Sequence, residues 1–182
     1  MENAGKTKAL MLVAHPDDCV IFGFPFYSTH KQFEWTICYL TYKKWELRAH
    51  EISKFWNRRS VKTMFLGFTD DFTFVEKGIT GFDNTAARNE ILKIVDGFDL
   101  VLTHNIDGEY GHVHHIFVHN VIKETNIPQI YFAGFDNFNY QCVCQSNEYS
   151  LSELPVHRDV IEGFQDRLTG RYAVTESVRE LI

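Results

Sequence analysis

Residues 14–18 read Ala-His-Pro-Asp-Asp, and residues 108–115 read Gly-Glu-Tyr-Gly-His-Val-His-His. Together they offer two imidazoles and a carboxylate suited to one metal ion. A second carboxylate, a spare histidine and a tyrosine remain for acid–base work. That inventory fits metal-assisted hydrolysis. His15 and Asp18 are three apart at an expected strand-to-helix bend, near enough to grip one ion. His112 and His115 are three apart on an expected helix and so share a face, which His119 extends. Zinc commonly takes three protein ligands and leaves a fourth position for water. His15, Asp18 and one helix histidine would fill that set, and two nitrogens with one oxygen suit Zn²⁺ or another divalent transition metal. Asp17 is the natural base, because it adjoins a ligand without having to bind. Tyr110 and a helix-borne histidine could stabilise an oxyanion, and a protonated His112 could serve a leaving amine. A lone His-Pro-Asp would be a turn, and a lone helix histidine a structural residue. His30, His50 and His157 are assigned to that second class. Two motifs of complementary ligand type are hard to explain as turns.

These groups need elements to hold them. An apolar run from Ala9 to Ala14 predicts a buried first strand that Pro16 ends. Asp17 or Asp18 is expected to cap a segment running through Phe22 to Ser28. Further strands are expected over 35–41, 61–66, 99–103, 129–133 and 141–144, with a turn over 67–71. Helices are expected over 45–56 (on the spacing of Trp45, Ala49, Ile52 and Trp56), 84–95, 111–123 and 156–168. Strands alternating with helices predict an α/β fold, a Rossmann-like three-layer α/β/α arrangement with a mostly parallel sheet. In such folds, sites lie beyond the carboxyl ends of strands, near a switch point. Both motifs fall at such ends.

The bulk numbers are compatible with that picture. A chain of 182 residues suits one domain, taken as 1–182, with a full core. A net charge of −6 argues against a nucleic-acid partner. No apolar run approaches a transmembrane span, and the N-terminus lacks a signal-peptide core, so no membrane partner is expected and the expected location is the cytoplasm. Cys19, Cys38, Cys142 and Cys144 form no CxxC pair. Reduced thiols in a reducing compartment follow, with Cys142 and Cys144 on one side of a strand.

The paired motifs resemble the PIG-L/LmbE family of zinc-dependent de-N-acetylases. The resemblance runs from the first strand through the helix after Gly111 and fades near Asn126. It implies an N-acetylated amino sugar or sugar conjugate as substrate, deacetylated at a zinc ion. It assigns His15, Asp18 and His115 as metal ligands, Asp17 as general base, and His112 with Tyr110 as helpers of the charged intermediate. It matches Arg48 and Asp70, more weakly, to residues that contact substrate. Two positions depart from the family's common pattern. Cys19 stands where an acidic residue is frequent, and is read as packing. His114 stands where the family often has an aspartate that orients the preceding histidine, and it competes with His115 as a ligand. The segments 72–82 and 135–149 are expected to shape the pocket.

Overall fold

Alternation along the first strand sets the layers. In β1 (Lys8–Val13), Ala9, Met11 and Val13 join one core cluster, and Leu10 and Leu12 join the other. That is the period of two that sends successive side chains to opposite faces. The computed structural model describes residues 5–133, 138–142, 149–164 and 170–182. After β1 a π-helical turn (Cys19–Gly23) leads into α1 (Phe24–Thr29). It packs so closely that a Cβ on Gly23 would fall 2.4 Å from the Met11 sulfur. There follow β2 (Glu34–Thr41), α2 (Leu47–Asn57), β3 (Lys62–Phe68), α3 (Phe72–Val75) and α4 (Asn84–Val95). Next come β4 (Leu100–Thr103), α5 (Gly108–Gly111), α6 (Val113–Lys123), β5 (Gln129–Phe132) and β6 (Tyr140–Gln141). A 3₁₀ turn (Leu151–Glu153), α7 (Arg158–Phe164), β7 (Arg171–Val174) and α8 (Glu176–Arg179) complete the described elements.

The sheet has seven strands in the order β3-β2-β1-β4-β5-β7-β6. The first five in that row run parallel, and β7 pairs antiparallel with β5 and β6. The expected α/β fold with a mostly parallel sheet is therefore found. One face carries the ring-rich cluster of Phe24, Phe26, Ile52, Phe55, Trp56 and Ile161 from α1, α2 and α7. The other carries Ala87, Ile91 and Val95 of α4 with Val118, Val121 and Ile122 of α6. The chain leaves β1 toward β2 and returns to β4 on the other side of β1. The crevice between the carboxyl ends of β1 and β4 is thus the switch point.

The structure departs from the sequence-based expectations in several places. Trp45 lies in a turn ahead of α2 and is 79% exposed, although its spacing matches the helix. Asp18 makes no side-chain cap, because its carboxylate accepts from the His15 backbone N–H at 2.7 Å instead. Strand β3 runs on through Gly67, whose φ of +77° lets the ladder irregularity pass beside Tyr39 and Thr41. The helix expected over 111–123 is split by His112, whose extended backbone (φ −70°, ψ 123°) separates α5 from α6. α4 has the expected bounds, and the Asp83 side chain caps it by accepting from the Ala86 N–H. Strand β7 was not expected, and Cys144 with residues 165–168 lies outside the described residues. Among the described residues no helix is long and apolar enough to cross a membrane.

Candidate metal centre

Four strand ends contribute to one cluster. His15 follows β1, Tyr42 follows β2, Asp70 follows β3 and His104 follows β4. The N-terminus of α6 brings His112, His114 and His115 over them. Three atoms meet at the centre. His15 Nδ1 lies 3.3 Å from Asp18 Oδ2 and 3.2 Å from His115 Nε2, and the last two are 3.3 Å apart. Ligands about 2.0–2.1 Å from a tetrahedral zinc stand about 3.3–3.4 Å from each other. The triangle therefore has the dimensions of three corners of such a site. All three residues are buried.

The electrostatics favour positive charge at this point. Burial alone would lower His15, but the Asp18 charge and hydrogen bonds to Asp18 and Asp70 carry it up to about 9. Burial works against the Asp18 carboxylate too, yet the His115 and His15 imidazoles hold it well below the usual carboxylate range. The cluster favours a bound positive charge, which a proton on His15 supplies and which a divalent metal could supply in its place.

A second layer fixes the ligands. Glu109 Oε2 accepts from His115 Nδ1 at 2.6 Å and from His104 Nδ1 at 2.8 Å. Its other oxygen accepts from the Asn105 N–H at 2.9 Å. Burial would raise this carboxyl, but the two imidazoles hold it down, at about 2. Glu109 takes a left-handed backbone, φ +60°, beside Gly108 at φ +59°. Such a conformation is costly for a residue with a side chain and persists where surrounding contacts enforce it. Here the enforcing contacts are the three acceptor bonds and the Glu109 N–H to Asn105 Oδ1. Sequence reasoning assigned neither Glu109 nor His104 a role. An acidic residue inside Gly-Glu-Tyr-Gly was the available signal for the first. His104 stacks on His115 at 3.8 Å between ring centroids. Its Nε2 accepts the Ala14 backbone N–H at 3.0 Å, which occupies the lone pair a metal would need.

The other expected residues are distributed around this centre. Asp17, two residues after His15, is ion-paired with Arg48 Nη2. Arg48 Nη1 donates to the Tyr42 hydroxyl at 2.6 Å, and that hydroxyl donates to Asp70 Oδ2 at 3.0 Å. Asp17, Arg48, Tyr42 and Asp70 thus form one chain along the edge of the site. Asp70 Oδ1 comes to 3.5 Å from His15 Nε2. The His112 ring sits edge-on to His15 at 4.6 Å, and its Nδ1 accepts the His114 backbone N–H at 3.2 Å. Burial, with the charges on His15 and His115, pushes His112 down to about 3, so it is a neutral imidazole. The Tyr110 ring lies 5.4 Å from His115 and 5.9 Å from His112, with half its surface exposed.

Two departures from the resemblance are resolved by packing. The Cys19 sulfur is taken up by Pro16 O, the Tyr39 hydroxyl and the Trp56 indole N–H, within a buried pocket that raises its thiol pKa. The His114 side chain reaches His15 rather than His112, and both its nitrogens are hydrogen-bonded, so it is not a rival to His115 at the triangle. His119 turns away from the centre to the His104 carbonyl, and His30 stacks on Phe26. Trp45, in the turn after β2, and Leu47 and Phe72, the first residues of α2 and α3, are exposed.

Comparison with known proteins bears on the family and the fold. Protein L374 of Acanthamoeba polyphaga mimivirus is 27% identical over 146 residues, covering 72% of this chain. The chain spans 64% of that relative's length. The crystal structure of Dbv21, an A40926 pseudoaglycone deacetylase, superposes with a TM-score of 0.52 at 13% identity, over 88% of this chain and 82% of that one. At that identity the likeness is one of fold. The family profile described as PIG-L, GlcNAc-PI de-N-acetylase, matches residues 10–126, which include every residue of the cluster, and the chain belongs to that family.

Proposed function

We propose that the protein is a metal-dependent hydrolase that removes the acetyl group from an N-acetylated amino sugar or sugar conjugate. The observation that carries this reading is the triangle of His15 Nδ1, Asp18 Oδ2 and His115 Nε2, with edges of 3.2–3.3 Å. These three residues would hold the ion, Zn²⁺ by their chemistry. A divalent ion held there would lower the pKa of a bound water from about 15.7 to about 7 and would polarise an amide carbonyl.

The remaining steps belong to side chains. Asp17 takes the proton that the attacking water gives up, and its ion pair with Arg48 keeps the carboxylate in one orientation. His112 Nδ1 is occupied by the α6 N-terminus, so its proton resides on Nε2. It therefore acts as a neutral donor to the developing oxyanion, beside the Tyr110 hydroxyl. The proton held by Asp17 then passes to the leaving amine. Arg48 and Asp70, with Tyr42 between them, supply donors and acceptors for sugar hydroxyls.

A second reading is hydrolysis of a larger amide conjugate at the same centre. It is favoured by the exposed apolar side chains of Trp45, Leu47 and Phe72 on the segments that follow β2 and β3, which offer surface to the rest of such a conjugate. The deciding experiment is amine release from a panel of N-acetylated sugars and larger amides, by protein stripped of metal and then given Zn²⁺. Zinc-restored release from the sugars supports the first reading, and release only from larger amides supports the second. Stoichiometric zinc without any amine release counts against both.

A further inference from the structure

We propose that His114 is a positioning residue that, anchored by the Thr80 carbonyl, selects which nitrogen of His15 faces the metal. This rests on reading His15 as a ligand. The Thr80 carbonyl can only accept, and it lies 2.8 Å from His114 Nε2, so that nitrogen carries the proton. Neutral His114 then offers an acceptor at Nδ1, 3.0 Å from His15 Nε2. His15 must donate from Nε2, which leaves Nδ1 facing Asp18 Oδ2 and His115 Nε2 as the nitrogen that a metal would take once its proton is displaced. A backbone carbonyl in the β3–α4 loop thereby sets the tautomer of two imidazoles in series. The Phe82 ring, 5.1 Å from His114, closes the pocket in which this happens.

The two histidine ligands are therefore held by different chemistry. His115 donates to a carboxylate, Glu109, and His15 donates to a neutral imidazole. Asp70 Oδ1, 3.5 Å from His15 Nε2 and 3.7 Å from His114 Nδ1, is the nearest charged alternative acceptor. Outer partners of ligating histidines typically change metal affinity about 10–100-fold when removed. A residue that contributes only bulk would not show dependence on the acceptor atom.

The test is Zn²⁺ affinity, measured by competition with a chromophoric chelator, for the wild type, His114→Asn and His114→Leu, with thermal melts as a check on folding. Asn returns an acceptor oxygen near the place of Nδ1, and Leu returns only volume. The expected result is affinity within a few-fold of wild type for Asn and a loss of about 10–100-fold for Leu. Equal affinities for all three, or equal losses in both variants, would overturn the proposal. A long-range ¹H–¹⁵N spectrum of the zinc-loaded wild type gives an independent readout. It should show His15 protonated at Nε2, and metal binding through Nε2 would refute the proposal. Two zinc ions per chain would refute it as well, because His15 Nε2, His114 Nδ1 and Asp70 Oδ1 lie close enough to hold a cation in place of the hydrogen bond. A wild type that binds no zinc would instead remove the reading of His15 as a ligand.

Discussion

Two buried histidine–carboxylate pairs invite comparison. At the switch point, His115 Nδ1 donates to Glu109 Oε2 at 2.6 Å. Where α2 meets the chain entering α7, His157 Nδ1 donates to Glu51 Oε1 at 2.8 Å. The near sides of the two rings are alike, and the far sides are not. His115 Nε2 meets two further acceptor atoms within 3.3 Å. His157 Nε2 is buried and has no hydrogen-bond partner among the described residues. Glu51 also accepts the Val156 N–H at 2.9 Å and the His157 N–H at 3.2 Å, and so ties the chain entering α7 to α2. One pair is a brace between elements; the other aims a lone pair. A buried imidazole on a carboxylate is therefore no site by itself, and convergence at the second nitrogen makes the difference.

Substitutions at the two pairs separate their roles. The largest effect is expected from His115→Ala, which should abolish stoichiometric zinc binding and all turnover, read by metal analysis after gel filtration. Retained zinc would mean that the triangle is not the metal site. Asp17→Asn should lower the rate of amine release by about 10²–10⁴-fold with zinc still bound; near-normal turnover would remove its assignment as base. Glu109→Gln keeps the volume but weakens the grip on His115, and should reduce zinc affinity by about 10–100-fold in chelator competition. The smallest effect on the site is expected from Glu51→Leu. It should leave zinc affinity unchanged while costing about 1–3 kcal/mol of stability for the buried donors left unpaired. For a chain of this size that is roughly 2–12 °C in Tm. If Glu51→Leu lowered zinc affinity as much as Glu109→Gln, the two pairs would not differ as argued.

The sequence was most informative where a single element suffices. The bounds of α4 follow from its apolar spacing and an aspartate at its start, and β1 follows from an unbroken apolar run. The spacing rule failed at Trp45, because a 3.6-residue period says nothing about whether the chain before Leu47 has the helical backbone. The short antiparallel β7, Arg171–Val174, owes its place between β5 and β6 to pairing, and its four residues carry no distinctive pattern. At the candidate site, His15, Asp18, His112 and His115 could be picked out by type and spacing. Glu109 and His104 could not, since their roles depend on a left-handed backbone and on an N–H ninety residues away in the chain, at Ala14. The sequence shows His114 in the place of the family's orienting aspartate and offers it as a rival ligand to His115. Only the fold, by bringing the Thr80 carbonyl to one side of its ring and His15 to the other, distinguishes these from the role argued above.

The placement of the tryptophans has an optical consequence. Trp35 and Trp56 are shut inside the ring-rich core, and Trp45 alone stands in water. It does so on the loop between Tyr42 and Arg48, whose mutual hydrogen bond ties both loop ends into the acidic edge of the site. The red-shifted, quencher-accessible part of the intrinsic fluorescence therefore comes from the β2–α2 loop, and the blue-shifted part from the core. The unlabelled protein carries two spectrally separable reporters, one for the loop whose ends are tied into the site and one for whether the core stays folded.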